Sequence, residues 1–390
     1  MALSIKVHRY TNLGFGSVAD NFGGAHGLND TFHRMKRFWT PFLDTLTPYV
    51  PGEQPKLEGL VKLNTNENPY PPSAKALEAM RLAVNESLRL YPDPAALELK
   101  RSLAKRYGLR PEQIFVGNGS DEVLAFLFQA LLGQAGGCAF PVISYSFYPV
   151  YCKLYGLESH PFDLAEDFSI DLSKIPAGAG SLILPNPNAP TGIAVKTETI
   201  AAHAIEHPHR LIVVDEAYVD FGADSCVPLI DTHENLMVVQ TLSKSRALAG
   251  LRLGFAFGPA DLIEALERIK NSFNSYTIDR IAIAGGIAAI EDEAWFEANR
   301  LRVIKNREQL SEDLRMLGFE VLESKANFLF ARHPQYDASK LAFALRERKI
   351  LVRHFDKAGI SQFLRITVGS EDQCESLRLA LQSLIAAEAA

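Results

Sequence analysis

Leu211-Ile-Val-Val-Asp215 is the stretch of sequence that decides the fold of this 390-residue chain. Four consecutive apolar residues, three of them β-branched, indicate a short strand covered on both faces, because a strand with one solvent face alternates apolar and polar residues. Similar apolar runs occur on both sides of it, separated by stretches with helical spacing, from about residue 73 to 270. This alternation predicts an α/β domain with a mainly parallel sheet.

The elements of this region and of the rest of the chain follow from the same patterns. Strands are predicted over residues 114–116, 137–140, 181–184, 211–214, 236–240 and 254–258, and helices over 74–84, 95–107 and 121–132. After about residue 285 the predicted elements are a helix over 291–317, strands over 320–322, 328–330, 351–354 and 363–368, and a helix over 373–388. The second set predicts a smaller α+β domain.

We therefore expect four parts along the chain. Residues 1–34, whose middle is rich in Gly, Asn and Asp, are predicted to form a mobile extension, and residues 35–72 an arm that joins the small domain. Residues 73–285 form the large α/β domain and residues 286–390 the small α+β domain. Met35 opens a better-patterned segment, so a start there is an alternative to Met1.

The composition excludes several classes of function. Hydrophobic residues make up 47% of the chain and charged residues 22%, as in an ordinary globular protein. The net charge of −6 disfavours binding to nucleic acid or to an anionic membrane surface. No apolar run reaches the roughly 18 residues that a transmembrane helix needs. The four cysteines show no CxxC spacing and the ten histidines no HExxH motif, which predicts a cytoplasmic protein without a metal site.

The most chemically informative stretch is Thr241-Leu-Ser-Lys-Ser-Arg-Ala-Leu-Ala-Gly-Leu-Arg252. It places the amine of Lys244 among hydroxyls and small residues, a setting in which a lysine can form a Schiff base with an aldehyde. If that aldehyde is pyridoxal phosphate, Ser243 and Arg252 could bind its phosphate. A solvated loop lysine is the alternative, since lysine is mostly exposed.

Asp215 and Tyr218 lie where a predicted strand ends, and ligands of open α/β sheets bind beyond such ends. A carboxylate at Asp215 would keep a pyridine nitrogen protonated, and the phenol of Tyr218 could bind the 3-oxygen of the ring. An apolar strand followed by Asp is also a Walker-B pattern, but the chain has no GxxxxGK[ST] loop to go with it. Helix capping by Asp215 is the remaining alternative.

Gly117-Asn-Gly-Ser-Asp-Glu122 joins a predicted strand to the start of a predicted helix. The backbone N–H groups of Gly119, Ser120 and Asp121 could hold a phosphate at the positive end of that helix. Glu122 stands where GxGxxG has its last glycine, so a dinucleotide site is disfavoured. A plain turn is the alternative.

Two further segments follow predicted strands. Tyr145 could stack on a flat ring, although core packing explains an aromatic residue there equally well. Asn186-Pro-Asn-Ala-Pro-Thr-Gly192 is a loop rich in turn residues whose amides could orient a ring oxygen. In the C-terminal part, Arg353 and Arg365 each interrupt an apolar strand, which indicates a bidentate carboxylate or phosphate contact or else a structural ion pair.

Taken together, these motifs resemble the fold-type I pyridoxal-phosphate aminotransferases, and within them the histidinol-phosphate aminotransferases, from about Phe38 to the C-terminus. The blocks that carry the resemblance are Lys62-Leu-Asn-Thr-Asn-Glu-Asn-Pro-Tyr-Pro-Pro-Ser73, Leu90-Tyr-Pro-Asp-Pro94, Gly117–Glu122, Asn186–Gly192, Asp215–Phe221, Thr241–Phe255 and Leu364-Arg-Ile-Thr-Val-Gly369. The first two blocks point to the histidinol-phosphate group, and the others are shared by many such transferases.

The resemblance implies a role for each matching residue. It makes Lys244 the Schiff-base lysine, Asp215 the partner of the pyridine nitrogen, Tyr218 the ligand of the 3-oxygen and Tyr145 the ring-stacking aromatic. The implied phosphate ligands are Gly119, Ser120, Asp121, Ser243 and Arg252, with Tyr91 reaching the cofactor of a neighbouring subunit in a homodimer. The implied substrate ligands are Arg353 and Arg365, which bind the anion, and Asn68 and Tyr70 near the entrance.

One position departs from the family pattern. The family's loop has asparagine before Pro-Thr-Gly, and that asparagine binds the 3-oxygen, whereas Ala189 stands here. Either Asn188 swings in or Tyr218 carries that oxygen largely alone.

The implied activity is transamination of histidinol phosphate with 2-oxoglutarate, a step of histidine biosynthesis. Alternatives with the same fold are an aromatic amino-acid aminotransferase and a threonine-phosphate decarboxylase-like enzyme. A pyridoxal-phosphate-binding regulator would need a basic helix-turn-helix domain, for which residues 1–60 have neither the length nor the charge.

Overall fold

The computed structural model describes residues 38–133 and 136–388. The predicted extension over residues 1–34 and the alternative start at Met35 lie outside the described residues. The chain divides into two compact units, residues 1–47 and residues 48–390. In the described part of the first unit, Pro41–Thr45 forms a 3-10 helix. The elements below all belong to the second unit.

The larger sheet has seven strands in the order β2-β8-β7-β6-β5-β3-β4. These strands are β2 (Ile114–Asn118), β3 (Cys138–Pro141), β4 (Ser159–Phe162), β5 (Ser181–Pro185), β6 (Leu211–Asp215), β7 (Leu236–Thr241) and β8 (Leu253–Phe257). The neighbours from β7 to β4 pair in parallel, whereas β8 runs antiparallel to both β7 and β2. The predicted α/β fold with a mainly parallel sheet is confirmed.

The stretch that opened the sequence analysis is buried along its whole length, as the apolar run predicted. Ile212 and Val214 contribute to the hydrophobic core on one face of the sheet, and Leu211 and Val213 to the core on the other face. Alternate side chains of a strand point to opposite faces, so a strand that feeds two cores must be apolar throughout.

The described residues contain ten α-helices, of which some cover the two faces of this sheet and others pack against the smaller sheet. They are α1 (Ala74–Ala83), α2 (Leu97–Tyr107), α3 (Ser120–Ala130), α4 (Tyr148–Tyr155), α5 (Thr197–Glu206), α6 (Ala260–Phe273), α7 (Arg280–Glu291), α8 (Glu293–Met316), α9 (Ala338–Glu347) and α10 (Glu371–Glu388). Ser73 caps α1, because its side chain accepts hydrogen bonds from the backbone N–H groups of Lys75 and Ala76. In the described residues, no helix is long and apolar enough to cross a membrane.

The smaller sheet has five strands in the order β1-β11-β12-β10-β9. They are β1 (Val61–Leu63), β9 (Glu320–Val321), β10 (Phe328–Arg332), β11 (Ile350–His354) and β12 (Leu364–Thr367). β1 comes from the segment that we expected to join the small domain, and it pairs in parallel with β11. Where the chain divides into domains stays a prediction.

Candidate active site

Most of the residues selected from the sequence line one cleft with a volume of about 470 Å³. These are Ser120, Asp121, Tyr145, Asp215, Tyr218, Ser243, Lys244, Arg252, Arg353 and Arg365. Asp215 ends β6 and Thr241 ends β7, so this part of the cleft lies beyond the carboxyl ends of parallel strands. The cleft wall does not include Gly119, Asn188, Asn68, Tyr70 or Tyr91.

Lys244 follows β7 by three residues and is partly buried. Its Nζ lies 3.4 Å from the carbonyl oxygen of Thr65 and 5.7 Å from the centre of the Tyr218 ring. The Asn68 amide donates to the backbone carbonyls of Lys244 (3.0 Å) and Ser245 (3.3 Å). Asn68 therefore holds the backbone of the lysine and does not line the cleft, and its expected place near the substrate entrance stays a prediction.

The carboxylate of Asp215 is buried at the base of the cleft. It accepts hydrogen bonds from the Tyr148 hydroxyl (2.8 Å) and from the backbone N–H of Ala217 (3.2 Å). Burial raises the pKa of Asp215 to about 6, and these two donors limit the rise. A carboxylate held in this way is prepared to pair with a buried cation.

The turn between β2 and α3 brings a helix N-terminus close to a guanidinium. No side chain caps α3, and Gly119 has a φ of 82°, a conformation that favours glycine. A Cβ atom at this position would meet the guanidinium of Arg252, so a larger residue would displace that side chain. The turn can therefore hold a phosphate at the start of α3, with Arg252 as the cation.

Aspartate and hydroxyl groups complete this end of the cleft. Asp121 accepts from Arg252 Nη2 at 3.2 Å and from the hydroxyl of Tyr145 at 2.9 Å. Burial, and then the Asp121 carboxylate, raise the pKa of Tyr145, so its phenol stays protonated. The hydroxyls of Ser243 and Thr241 lie 2.9 Å apart.

Arg353 and Arg365 are direct partners across the antiparallel pair β11 and β12. Like charges opposite each other on neighbouring strands repel, so this arrangement needs an anion to be favourable. Arg365 donates to the carbonyl oxygen of Asn64 at 2.9 Å, but its buried Nε has no hydrogen-bond partner. Burial lowers the pKa of Arg365. The pair can therefore bind a phosphate or a carboxylate in the cleft.

Asn188 does not take the place of the asparagine that is absent from the loop. Its amide donates to the carbonyl oxygen of Ile143 (3.0 Å) and to the hydroxyl of Thr191 (3.1 Å), and the side chain is fully buried. Ala189 lines the cleft instead. Both N–H groups of the Asn188 amide are therefore used within the protein, which disfavours the expected contact of Asn188 with the cofactor.

Tyr70 and Tyr91 also lie outside the cleft wall. Tyr70 donates to the carboxylate of Glu371 at 2.9 Å and packs under the guanidinium of Arg302, 4.1 Å from its ring centre. Burial and Glu371 raise the pKa of Tyr70 to about 12. Tyr91 is 76% exposed and stacks on Tyr276, with 4.5 Å between ring centres.

Sequence reasoning missed several residues of the wall. Asn66 and Glu67 lie in the Asn-Glu-Asn block that we used only as a family signature, and both line the cleft. Tyr49, from the predicted arm over residues 35–72, lines the cleft and stacks on Phe147 with ring centres 4.7 Å apart. The only signal for Asn66 was its place next to residues that we did select, since an isolated amide has no chemical signature.

Glu216, next to Asp215, is a buried carboxylate that faces away from the cleft wall. It accepts from the backbone N–H of Cys226 (2.6 Å), the hydroxyl of Ser225 (2.6 Å) and the amide of Gln240 (2.8 Å). Burial nevertheless raises its pKa from 4.5 to about 7. Through these hydrogen bonds Glu216, next to Asp215, links the segment of Ser225 and Cys226 to Gln240 in β7.

We expect this raised pKa to appear in the stability of the cofactor-free protein. A folded-state pKa above the unfolded value means that stability is complete below about pH 4.5 and declines as the pH rises through 7. Relative to a Glu216→Gln variant, the free energy of unfolding should fall by roughly 3 kcal/mol across this range, at about 1.4 kcal/mol per pKa unit. Urea unfolding at a series of pH values measures it. The exposed control, Glu323→Gln, keeps Glu216 and should therefore follow the native pH dependence. Equal slopes for the native protein and Glu216→Gln would contradict the assignment.

The cleft fits pyridoxal phosphate in three respects. One cleft is lined by a buried carboxylate that can pair with a pyridinium, by an uncapped helix N-terminus with an arginine that can hold a phosphate, and by a partly buried lysine that can bind an aldehyde. Within residues 38–133 and 136–388, no group of three or more His, Cys, Asp or Glu side chains could hold a metal ion.

Comparisons with known proteins agree with this chemistry. The family model of class I and II aminotransferases matches residues 58–381. A histidinol-phosphate aminotransferase 1 of Bordetella parapertussis is 58% identical over 353 residues, which are 90% of this chain and 99% of that protein. One from Bradyrhizobium diazoefficiens is 57% identical over 351 residues, 90% of this chain and 100% of that protein.

A solved structure supports the fold. The histidinol-phosphate aminotransferase of Sinorhizobium meliloti, determined in complex with pyridoxal-5'-phosphate, superposes with a TM-score of 0.79. The match covers 90% of this chain and 98% of that one, at 24% sequence identity.

Proposed function

The chain belongs to the class I and II aminotransferase family, and we propose that it transfers the amino group of L-histidinol phosphate to 2-oxoglutarate with pyridoxal phosphate as cofactor. The products are imidazole-acetol phosphate and L-glutamate, and the reaction is a step of histidine biosynthesis. Relatives more than half identical over nine-tenths of the chain carry the name histidinol-phosphate aminotransferase, which supports this substrate.

The observation that carries the proposal is the opposed pair of Arg353 and Arg365 in the cleft wall. A phosphate brings more charge and more acceptor oxygens than a carboxylate, so it relieves the repulsion of the pair better and reaches the unpartnered Nε of Arg365. The same fork geometry accepts the carboxylate of glutamate in the return half-reaction. Two chemically different anions can therefore use one site in turn.

The residues around Lys244 divide the chemistry among them. When bound, pyridoxal phosphate supplies an electron sink for bond breaking at the substrate Cα. Lys244 would take the proton from the substrate Cα as a general base and deliver it to the C4′ carbon as a general acid. Asp215 would keep the ring nitrogen protonated, and Tyr218 would donate to the 3-oxygen. Alternating half-reactions at one site predict ping-pong kinetics.

A steady-state assay of amino donors with 2-oxoglutarate tests this proposal. Histidinol phosphate should be preferred over phenylalanine by roughly 100-fold or more in kcat/KM, since a donor without phosphate leaves the arginine pair unsatisfied. Preference for phenylalanine would indicate an aromatic amino-acid aminotransferase. Release of carbon dioxide from threonine phosphate would indicate the decarboxylase, and either result would overturn the proposed substrate.

We further propose a homodimer in which Tyr91 serves the neighbouring subunit. The ring of Tyr91 is exposed and does not line the cleft of its own subunit. The guanidinium of Arg280 donates to the backbone carbonyl of Tyr91 at 2.6 Å. Several residues that precede Tyr91 in the sequence have exposed apolar side chains, as expected for a surface that a second copy of the chain covers. They are Leu82, Val84, Leu88 and Leu90.

Hybrid dimers would test the position of Tyr91. Tyr91→Ala and Lys244→Ala homodimers should each be impaired, the first through weaker phosphate binding. In a mixed dimer, the site with an intact Lys244 would receive Tyr91 from the other subunit, so roughly half of the native activity should return. If Tyr91 served its own subunit, every site of the mixed dimer would carry one defect and no activity would be regained.

A further inference from the structure

We propose that Asn66 is a positioning residue that sets the direction of the Tyr218 hydroxyl proton, so that Tyr218 donates to the 3-oxygen of the cofactor without a second donor from the loop. This inference rests on the proposed cofactor chemistry. It addresses the position at which the chain departs from its family, because Ala189 has no donor and the amide of Asn188 is used elsewhere. The Asn66 amide donates to the Tyr218 oxygen at 3.0 Å.

The backbone of Asn66 is held on both sides. Its N–H donates to the hydroxyl of Thr367 and its carbonyl accepts from the amide of Asn327, each at 3.0 Å. The residue is 1% exposed and has a φ of 58°, in the left-handed region that asparagine tolerates better than most residues. Asn66 is therefore fixed in place by β12 and by the start of β10.

The orientation of the Asn66 amide follows from counting protons. The hydroxyl of Thr367 already accepts from the Asn66 N–H, and its single proton is given to Asn66 Oδ1 at 3.0 Å. Turning the amide over would leave the buried Thr367 proton without an acceptor, which is unfavourable. The amide NH₂ therefore faces Tyr218.

The hydroxyl of Tyr218 responds to this orientation. Because its oxygen accepts from Asn66, its own proton is free to point into the cleft that the ring lines. The charged groups that face Tyr218 are Lys244, 5.7 Å from its ring centre, and Arg365, and neither can accept a proton from it. A hydroxyl group that accepts one hydrogen bond donates a stronger one, because the two bonds polarise each other. Asn66 thus both directs and strengthens the hydrogen bond that Tyr218 donates into the cleft.

A double-mutant cycle on the cofactor-loaded enzyme tests the proposal. Asn66→Gly removes the amide and suits the positive φ, and Tyr218→Phe removes the hydroxyl. The readout is the pH midpoint of the change in cofactor absorption, which rises when the 3-oxygen loses a donor. We expect Asn66→Gly to raise this midpoint by roughly half a unit and Tyr218→Phe by roughly one to two units. The double variant should match Tyr218→Phe alone, since Asn66 then has no hydroxyl to direct.

Two further variants keep the test decisive. Thr367→Val removes both the acceptor of the Asn66 N–H and the donor that orients the Asn66 amide, while Asn327 still holds the Asn66 carbonyl, so it should shift the midpoint in the same direction by a smaller amount. Lys349→Gly makes the same backbone change at another left-handed residue, φ 60°, outside the cleft, and should leave the midpoint unchanged.

The outcomes separate this proposal from the proposed function. An unchanged midpoint in both Asn66→Gly and Thr367→Val, or shifts that add in the double variant, would overturn the role of Asn66. Neither result affects the assignment of the reaction. By contrast, a native protein without any cofactor absorption that depends on Lys244 would overturn the proposed function itself.

Discussion

Replacing Lys244 with alanine should lower the rate of transamination by roughly 1000-fold or more, because the variant loses both the bond to the cofactor and the group that moves the Cα proton. Lys244 is the only lysine in the wall of the cleft as described, with its Nζ 3.4 Å from the Thr65 carbonyl, so no neighbouring amine can replace it. Stopped-flow measurement of a single half-reaction would separate loss of chemistry from loss of substrate binding.

The control for Lys244 is a lysine of the same domain outside the cleft. Lys153 in α4 is exposed, and Lys153→Ala should keep the native rate. Addition of a small primary amine should restore part of the activity of Lys244→Ala only, since a free amine can carry the proton. Full activity of Lys244→Ala without added amine would refute the role of this lysine.

The second large effect is expected for Asp215→Asn, which keeps the shape of the side chain and removes its charge. The amide can still accept from Tyr148, but it cannot hold a proton on the ring nitrogen, so kcat should fall by roughly 100-fold or more. A variant with an unchanged kcat would show that the ring nitrogen does not need a charged partner.

The pH dependence of cofactor binding provides an independent measurement on Asp215. Its pKa of about 6 in the cofactor-free protein means that the carboxylate is neutral at pH 5 and ionised at pH 7. Affinity for the cofactor should therefore increase with pH over this interval in the native protein and increase less in Asp215→Asn. Asp163→Asn, at an exposed position, serves as the control and should follow the native curve.

The apolar runs predicted the strands of the large sheet to within about two residues, because buried parallel strands have a distinctive composition. The edge strand β4, Ser159–Phe162, was not predicted, since its polar residues and proline are typical of an edge and not of a core strand. Five helices were also missed, namely Tyr148–Tyr155, Thr197–Glu206, Ala260–Phe273, Arg280–Glu291 and Ala338–Glu347. The reversed direction of β8 had no local signal, because direction depends on how the connection crosses the sheet.

The candidate site also contains both residues that the sequence revealed and residues whose contacts only the structure showed. Asp215, Lys244 and Arg252 were selected because a carboxylate after a strand, a lysine among hydroxyls and a nearby guanidinium are each unusual enough to be noticed in a sequence. Asn68 and Tyr70 were placed at the entrance by their motif, yet the structure uses the first to hold backbone carbonyls and the second to bind Glu371. The role of an amide or a phenol depends on what lies opposite it.

The sequence by itself determined the α/β fold, the family and the residue types that carry the chemistry, because these depend on local patterns of hydrophobicity and on motifs of a few residues. Only the tertiary structure decided that Arg353 and Arg365 face each other, that the Asn188 amide donates to Ile143 and Thr191, and that the Asn66 amide donates to Tyr218. Asn66 and Tyr218 are 152 positions apart in the chain. Such pairings arise when separate elements pack together, and no local pattern records them.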